Sequence, residues 1–155
     1  RSMQAHLSPV IKLEKGMELP HVTGEKDQAI ILEKKSNTPL DAKKILAFQG
    51  PEFNCLNAKQ QKDLNQQTFT VSNLNNRMAY QLLPAISPFE KDQLTGPVLP
   101  GTVQITPAGN LMVLMREAQT TGGYPRILQL TVESINALAQ LKTGDTFRIK
   151  VLPLN

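Results

Sequence analysis

The sequence has a single cysteine, Cys55, so no disulfide can form within the chain. The lone thiol fits a reducing compartment. Histidine is almost as scarce. His6 and His21 are the only two, and neither stands at ligand spacing from the other or from Cys55. A zinc site is therefore without support, and a Ser-His-Asp or Cys-His nucleophile lacks its base. No apolar run approaches the roughly 18 residues that a membrane-spanning helix needs, and no signal-peptide pattern opens the sequence. The expectation is a cytoplasmic protein with no membrane contact and no metal. Charge of one sign is not concentrated either. The net charge is +4, but the lysines of the first 65 residues are interspersed with Glu14, Glu18, Glu25, Asp27, Glu33, Asp41, Glu52 and Asp63. Lys34-Lys35 and Lys43-Lys44 stand without interleaved aromatics. They read as solvated faces, and no nucleic-acid partner is expected.

What is present is a series of short apolar runs cut by turn formers. At 155 residues the chain reads as one domain, 1–155, able to bury roughly 70% of its unfolded surface. Ile11 to Leu13, Ala29 to Glu33 and Ile45 to Phe48 read as short strands. Asn57 caps a polar helix running to Leu64. Thr68 to Ser72 alternates, which points Phe69 and Val71 inward, and Asn73 to Asn76 reads as a turn. Ala79 to Leu83, Val103 to Ile105, Leu111 to Met115 and Arg126 to Thr131 are further strands. Glu133 to Leu141 reads as a helix with Ile135, Leu138 and Ala139 on one face. Thr146 to Val151 is the cleanest alternation, with Phe147, Ile149 and Val151 inward. Residues 84–102 hold Pro84, Pro88, Pro97 and Pro100 and form a long stiffened loop. The total is eight or nine short strands and two short helices, the pattern of a mostly antiparallel barrel or sandwich.

The richest chemistry lies in Gln119-Thr120-Thr121-Gly122-Gly123-Tyr124-Pro125. This stretch separates two apolar strands and reads as a hairpin turn, whose glycines supply φ > 0. A hairpin needs only the glycines. The amide, two hydroxyls and phenol are a surplus, and they fit a backbone cradle for a carboxylate, carboxamide or phosphate. Arg77 follows a tight Asn turn and precedes an apolar strand; it reads either as a solvated turn arginine or as a guanidinium fork presented to a carboxylate. Gln104 points opposite to Val103 and Ile105. An outward Gln is ordinary on a half-buried strand, and it matters only if its face carries the Gly-Gly turn. Glu117 is the one carboxylate beside that turn placed for acid–base work, although a surface residue at a strand end is the favoured reading.

These strings resemble the C-terminal half of the KipA family, also known as the biotin-dependent carboxyltransferase-like family, allophanate hydrolase subunit 2 or the C subunit of 5-oxoprolinase. The resemblance runs across about 85 residues from Phe69 onward. It rests on Val71-Ser72, on Asn76-Arg77-Met78-Ala79-Tyr80-Gln81-Leu82 and on Pro100-Gly101-Thr102-Val103-Gln104-Ile105. It continues through Gly109, Leu114-Met115, Gln119 to Pro125, Leu138-Ala139-Gln140-Leu141 and Gly144-Asp145. It implies a closed cyclophilin-like β-barrel with one or two short helices, and a chain that is the C-terminal half of a longer subunit. It implies partners: a KipI-like subunit, the preceding half of its own subunit, and a LamB/YcsF-type subunit. The implied activity is ATP-dependent opening of 5-oxoproline to glutamate by the complex, with the isolated domain inactive. The alternatives are carboxyl transfer from carboxybiotin to urea, and a non-catalytic KipI-binding regulatory module. The implied binding residues are Arg77, Gln104, Gln119, Thr120, Thr121, Gly122, Gly123, Tyr124 and Pro125, with no cofactor assigned to this domain itself. Two departures stand out: Ala79 where the family typically has Gly, and Arg116-Glu117-Ala118 in place of an Ala-Asp pair. The Ala79 methyl would narrow any close approach to the strand after Arg77.

Overall fold

Period-two alternation builds most of the wall. The computed structural model describes residues 44–89 and 94–152. The strands expected at Ile11 to Leu13 and Ala29 to Glu33 lie outside the described residues. In chain order the elements are β1 (Lys44–Gln49), a 3-10 turn (Phe53–Cys55), α1 (Ala58–Gln66), β2 (Phe69–Asn75) and β3 (Ala79–Leu83). They continue with β4 (Gly96–Pro97), β5 (Thr102–Ile105), β6 (Leu111–Leu114), β7 (Thr121–Gly122), β8 (Arg126–Leu130), α2 (Val132–Leu138) and β9 (Thr146–Leu152).

Seven strands close into a barrel in the order β1-β8-β5-β6-β3-β2-β9, while β4 and β7 pair as a separate ribbon. Neighbours around the barrel are antiparallel except β1 and β9, whose parallel pairing sets Ile45 beside Ile149 and completes the ring. The barrel, rather than the sandwich, is the architecture. The register places Leu128, Val103 and Val113 side by side, and likewise Val71, Leu82 and Leu111. These residues are buried and fill the interior with Phe69, Phe147, Ile45 and Ile149. Phe69 faces Phe147 across the β2–β9 pair with ring centroids 6.4 Å apart.

The helices are fastened through their caps. Asn57 caps α1 as expected: its Oδ1 accepts from Gln60 N, and Gln60 Oε1 accepts from Asn57 N, both at 2.9 Å. The buried Gln60 also donates through Nε2 to the carbonyls of Ser87 and Pro88, which holds the proline-rich loop against the helix. Thr131 caps α2, whose Ser134 hydroxyl accepts from Leu46 N at 2.8 Å and pins the helix to β1.

Two boundaries differ from expectation. β2 runs on through Asn73 to Asn75, and the turn falls at Asn76 to Met78, because Asn76 Oδ1 accepts from both Met78 N and Ala79 N. α2 ends at Leu138 rather than Leu141, where Gln140 N and Leu141 N turn back to carbonyls three residues earlier.

Truncating Phe69 removes a fully buried ring that β9 stacks upon. Phe69→Ala is expected to cost about 3–5 kcal/mol. Urea unfolding checks it: the midpoint falls and the slope stays the same.

Candidate functional site

The outer face of β5 carries the site. All four residues of β5 are buried, on both sides of the sheet. Val103 and Ile105 point into the barrel, so Gln104 points out, yet it is only 2% exposed. What covers it is the segment from Gln119 to Pro125. β6 and β8 are not partners, since β5 lies between them. The segment therefore crosses over β5 instead of turning a hairpin, and this corrects the expectation. Gln104 Nε2 donates to the Tyr124 carbonyl at 3.0 Å and ties the crossing to the wall.

Gly122 serves close approach rather than φ > 0, while a Cβ on Gly123 would meet only Thr95 Oγ1 at 3.7 Å. Among the described residues the positive-φ glycines are Gly101, Gly109 and Gly144, not Gly122 or Gly123. A Cβ on Gly122 would stand 2.5 Å from Gln104 Nε2 and 3.2 Å from Val98 Cγ1. Gly122 pairs with Gly96, and Thr121 with Pro97, in the β4–β7 ribbon. Thr120 contributes its carbonyl, which accepts from Val98 N. Thr120, Thr121 and Gly123 are otherwise exposed, and Pro125 is buried with its carbonyl accepting from Ile105 N.

A cleft of about 490 Å³ opens beside this crossing. Gln104, Met112, Leu114 and Ala79 form its floor from neighbouring strands, whose register sets Gln104 beside Met112 and Ala79 beside Leu114. Leu74 and Met78 supply an apolar rim, and Gln119 and Tyr124 close the side. The polar groups lining it are carboxamides and the Tyr124 phenol, with no lysine or arginine. Ala79, the departure from the family's Gly, sits on this floor.

Arg77 does not line that cleft. It borders a neighbouring depression of about 310 Å³ with Tyr80, Met115, Arg116 and Ala139, and Asn76 borders both. Its Nε donates to Glu117 Oε1 at 2.6 Å, and both side chains are largely exposed, at 78% and 54%. Glu117 is thus an exposed residue engaged as the partner of Arg77. Gln104, Gln119 and Tyr124 are brought together; Arg77 stands next door.

One supporting pair was invisible to sequence reasoning. Arg126 Nε and Nη2 grip the two oxygens of Glu52 at 2.9 and 2.6 Å, and Arg126 N adds a third bond to Oε2 at 2.9 Å. The remaining Nη1 donates to the Pro97 carbonyl at 2.9 Å. One guanidinium thus joins the start of β8, the turn after β1 and the β4–β7 ribbon. Its hydrogen bonds hold the Glu52 carboxyl below the ordinary carboxylate range against the opposing effect of burial, and Glu52 raises Arg126 in turn. The 74 residues between them in sequence carry no local signal of the pairing.

This arrangement belongs to a known lineage. A sequence family described as the carboxyltransferase domain, subdomain A and B, matches residues 2–151. The chain belongs to that family. The C subunit of 5-oxoprolinase from Escherichia coli strain K12 is 36% identical over 104 residues, covering 66% of this chain and 34% of that protein. Its counterpart of the same name in Haemophilus influenzae is 32% identical over 114 residues, 71% of this chain and 36% of that protein. The chain spans about a third of the length of the curated relatives it matches. Among solved structures, TTHA0988 superposes with a TM-score of 0.60 at 23% identity, covering 69% of this chain and 21% of that one. The Kluyveromyces lactis urea carboxylase superposes with a TM-score of 0.62 at 17% identity, covering 72% of this chain and 11% of that one. Both superpositions show a shared fold. The family resemblance drawn from Gln119 to Pro125 and its companion strings holds. Among the described residues no helix is long and apolar enough to cross a membrane.

Two expectations follow from this geometry. Gly122→Ala should destabilise the chain by about 1–3 kcal/mol, because the methyl displaces the Gln104 amide. Combining it with Gln104→Ala should cost about 1 kcal/mol less than the sum of the single changes, measured in a double-mutant unfolding cycle. Glu52→Gln should cost about 2 kcal/mol at neutral pH by weakening charge-assisted bonds to Arg126. Glu52 has a depressed folded pKa, so its contribution is complete above the ordinary glutamate range and is lost as pH falls through the folded value. The gap in melting temperature between wild type and Glu52→Gln should therefore start to narrow as pH falls below the ordinary glutamate value of about 4.3 and close only below the depressed folded value.

Proposed function

We propose that this chain is the barrel portion of the C subunit of a 5-oxoprolinase, the C-terminal half of a longer subunit folded as one cyclophilin-like domain. It works within a multi-subunit enzyme that opens 5-oxoproline to glutamate at the expense of ATP. Its partners are a KipI-like subunit, the preceding half of its own subunit and a LamB/YcsF-type subunit. Two relatives that carry the name of that 5-oxoprolinase component support the reading. The observation that carries it is the cleft where Gln104, Gln119 and Tyr124 meet, which matches in size and polarity a small ligand with an amide group.

The division of labour follows from charge. A triphosphate finds no countercharge among the residues lining the cleft, so ATP does not fit there and is assigned to another part of the assembly. Arg77 is given the ligand carboxylate: its Nε holds Glu117, while its Nη groups have no hydrogen-bond partner among the described residues. The crossing residues Thr120, Thr121, Gly122, Gly123 and Pro125 lie outside the cleft lining and position Gln119 and Tyr124, which belong to it. A second reading, carboxyl transfer from carboxybiotin to urea, takes its support from the carboxyltransferase description of the family. The carboxamide lining fits the ureido ring of biotin, whose chemistry when bound would be delivery of the carboxyl group. A KipI-binding regulatory role is the third outcome.

The deciding experiment reconstitutes the full-length subunit with its partners and assays 5-oxoproline and urea side by side. Glutamate release coupled to ATP hydrolysis is expected; turnover of urea alone, or of neither, would overturn the first reading. The isolated chain is expected to fold without turnover. In the assembled enzyme, Arg77→Ala should lower 5-oxoproline turnover by about 100-fold, as loss of a charge-assisted ligand contact does. The melting temperature should stay nearly unchanged, because an exposed ion pair contributes about 0–1 kcal/mol.

A further inference from the structure

The Gln104 side chain has one end occupied and one end open. Its Nε2 donates to the Tyr124 carbonyl. A carbonyl oxygen only accepts, so this bond fixes which end of the amide is nitrogen. Turning the amide over would set Oε1 against that carbonyl and leave two acceptors facing each other. Oε1 has no hydrogen-bond partner among the described residues. Yet among those residues no side-chain nitrogen or oxygen is both shielded from solvent and unpaired. With the residue 98% buried, the surface left to Oε1 opens into the cleft that Gln104 lines. Gly122 keeps this amide in place, since its missing side chain is what lets the crossing segment lie on Nε2.

The cleft therefore presents a fixed acceptor at the base of an apolar slot. Leu114 and Met112 flank it on the floor, and Leu74 and Met78 rise at the rim. A ligand that fills the slot displaces the water serving Oε1. If the ligand offers only acceptors at that point, Oε1 is left dehydrated and unpaired, which a site of this kind penalises heavily. If it offers an N–H, the bond is remade.

We infer that the cleft selects its ligand through a ring N–H donated to Gln104 Oε1, so that the ligand class is a small lactam and not its lactone or carbocyclic isostere. This rests on the functional reading above and names the ligand atom that the reading leaves open. Gln104 acts here as a specificity-determining residue, and the bond it makes is to the ring N–H beside the carbonyl that hydrolysis attacks.

The test titrates the ¹⁵N-labelled chain with 2-pyrrolidinone and with γ-butyrolactone, which replaces the N–H by oxygen at nearly the same size. The lactam is expected to bind about tenfold more tightly, the worth of one well-made hydrogen bond, and to shift the signals of the Gln104 side-chain amide and Tyr124. Gln104→Met, of similar volume without donor or acceptor, should bring the ratio near one. Equal binding of the two probes by wild type, an unchanged ratio in Gln104→Met, or no saturable shift at the cleft would each overturn the inference. The wild-type comparison needs no variant, so a poorly folded Gln104→Met does not blunt it. The functional reading fails separately: an assembled enzyme without 5-oxoprolinase activity would sink it even where the lactam preference holds. Conversely, active enzyme with no N–H preference would sink this inference alone.

Discussion

Burial of β5 on both faces is the constraint on which the site depends. A barrel strand ordinarily turns one face to the interior and the other to water. Here the outer face is roofed by the crossing from Gln119 to Pro125, so a polar residue beneath it must find a partner. Gln104 finds the Tyr124 carbonyl, and the roof can settle only because residue 122 has no side chain. Roof, amide and glycine are one device. The cleft is the part of the outer wall that the roof leaves open.

The roof itself is held from the other side. The β4–β7 ribbon is too short to be stable alone, with two residues in each strand. Arg126 braces it through the Pro97 carbonyl while anchored on Glu52. This pair is shielded by about four-fifths or more on each side chain, unlike the exposed Arg77–Glu117 pair. Solvent weakens the second far more than the first. The two ion pairs therefore differ in weight: Glu52–Arg126 fastens the ribbon to the barrel, and the exposed Arg77–Glu117 pair adds little to the fold.

Most of the barrel was legible in sequence because period-two alternation and helix caps are local signals. Phe147, Ile149 and Phe69 declared their direction, and Asn57 and its helix followed from capping chemistry. The Gln119–Pro125 string stood out by its surplus of hydrogen-bonding groups, and two of its residues, Gln119 and Tyr124, line the cleft. Its geometry did not follow. Two apolar strands joined by Gly-Gly look like a hairpin, and only the non-local pairing of β5 with both β6 and β8 turns the link into a crossing. The same non-locality hid Glu52 and Arg126. Arg77 and Gln104 were both candidates, and they line adjoining depressions.

The parallel contact between β1 and β9 has a consequence for synthesis. β1 is the first described strand and β9 the last, and β2 also leans on β9. While the chain is still emerging from the ribosome, both β1 and β2 keep a bare edge that only the final strand can cover. Exposed edges of that kind recruit other chains. Completion of the ring waits for the synthesis of β9, and a stall shortly before Thr146 leaves a nascent barrel open along the seam between β1 and β2.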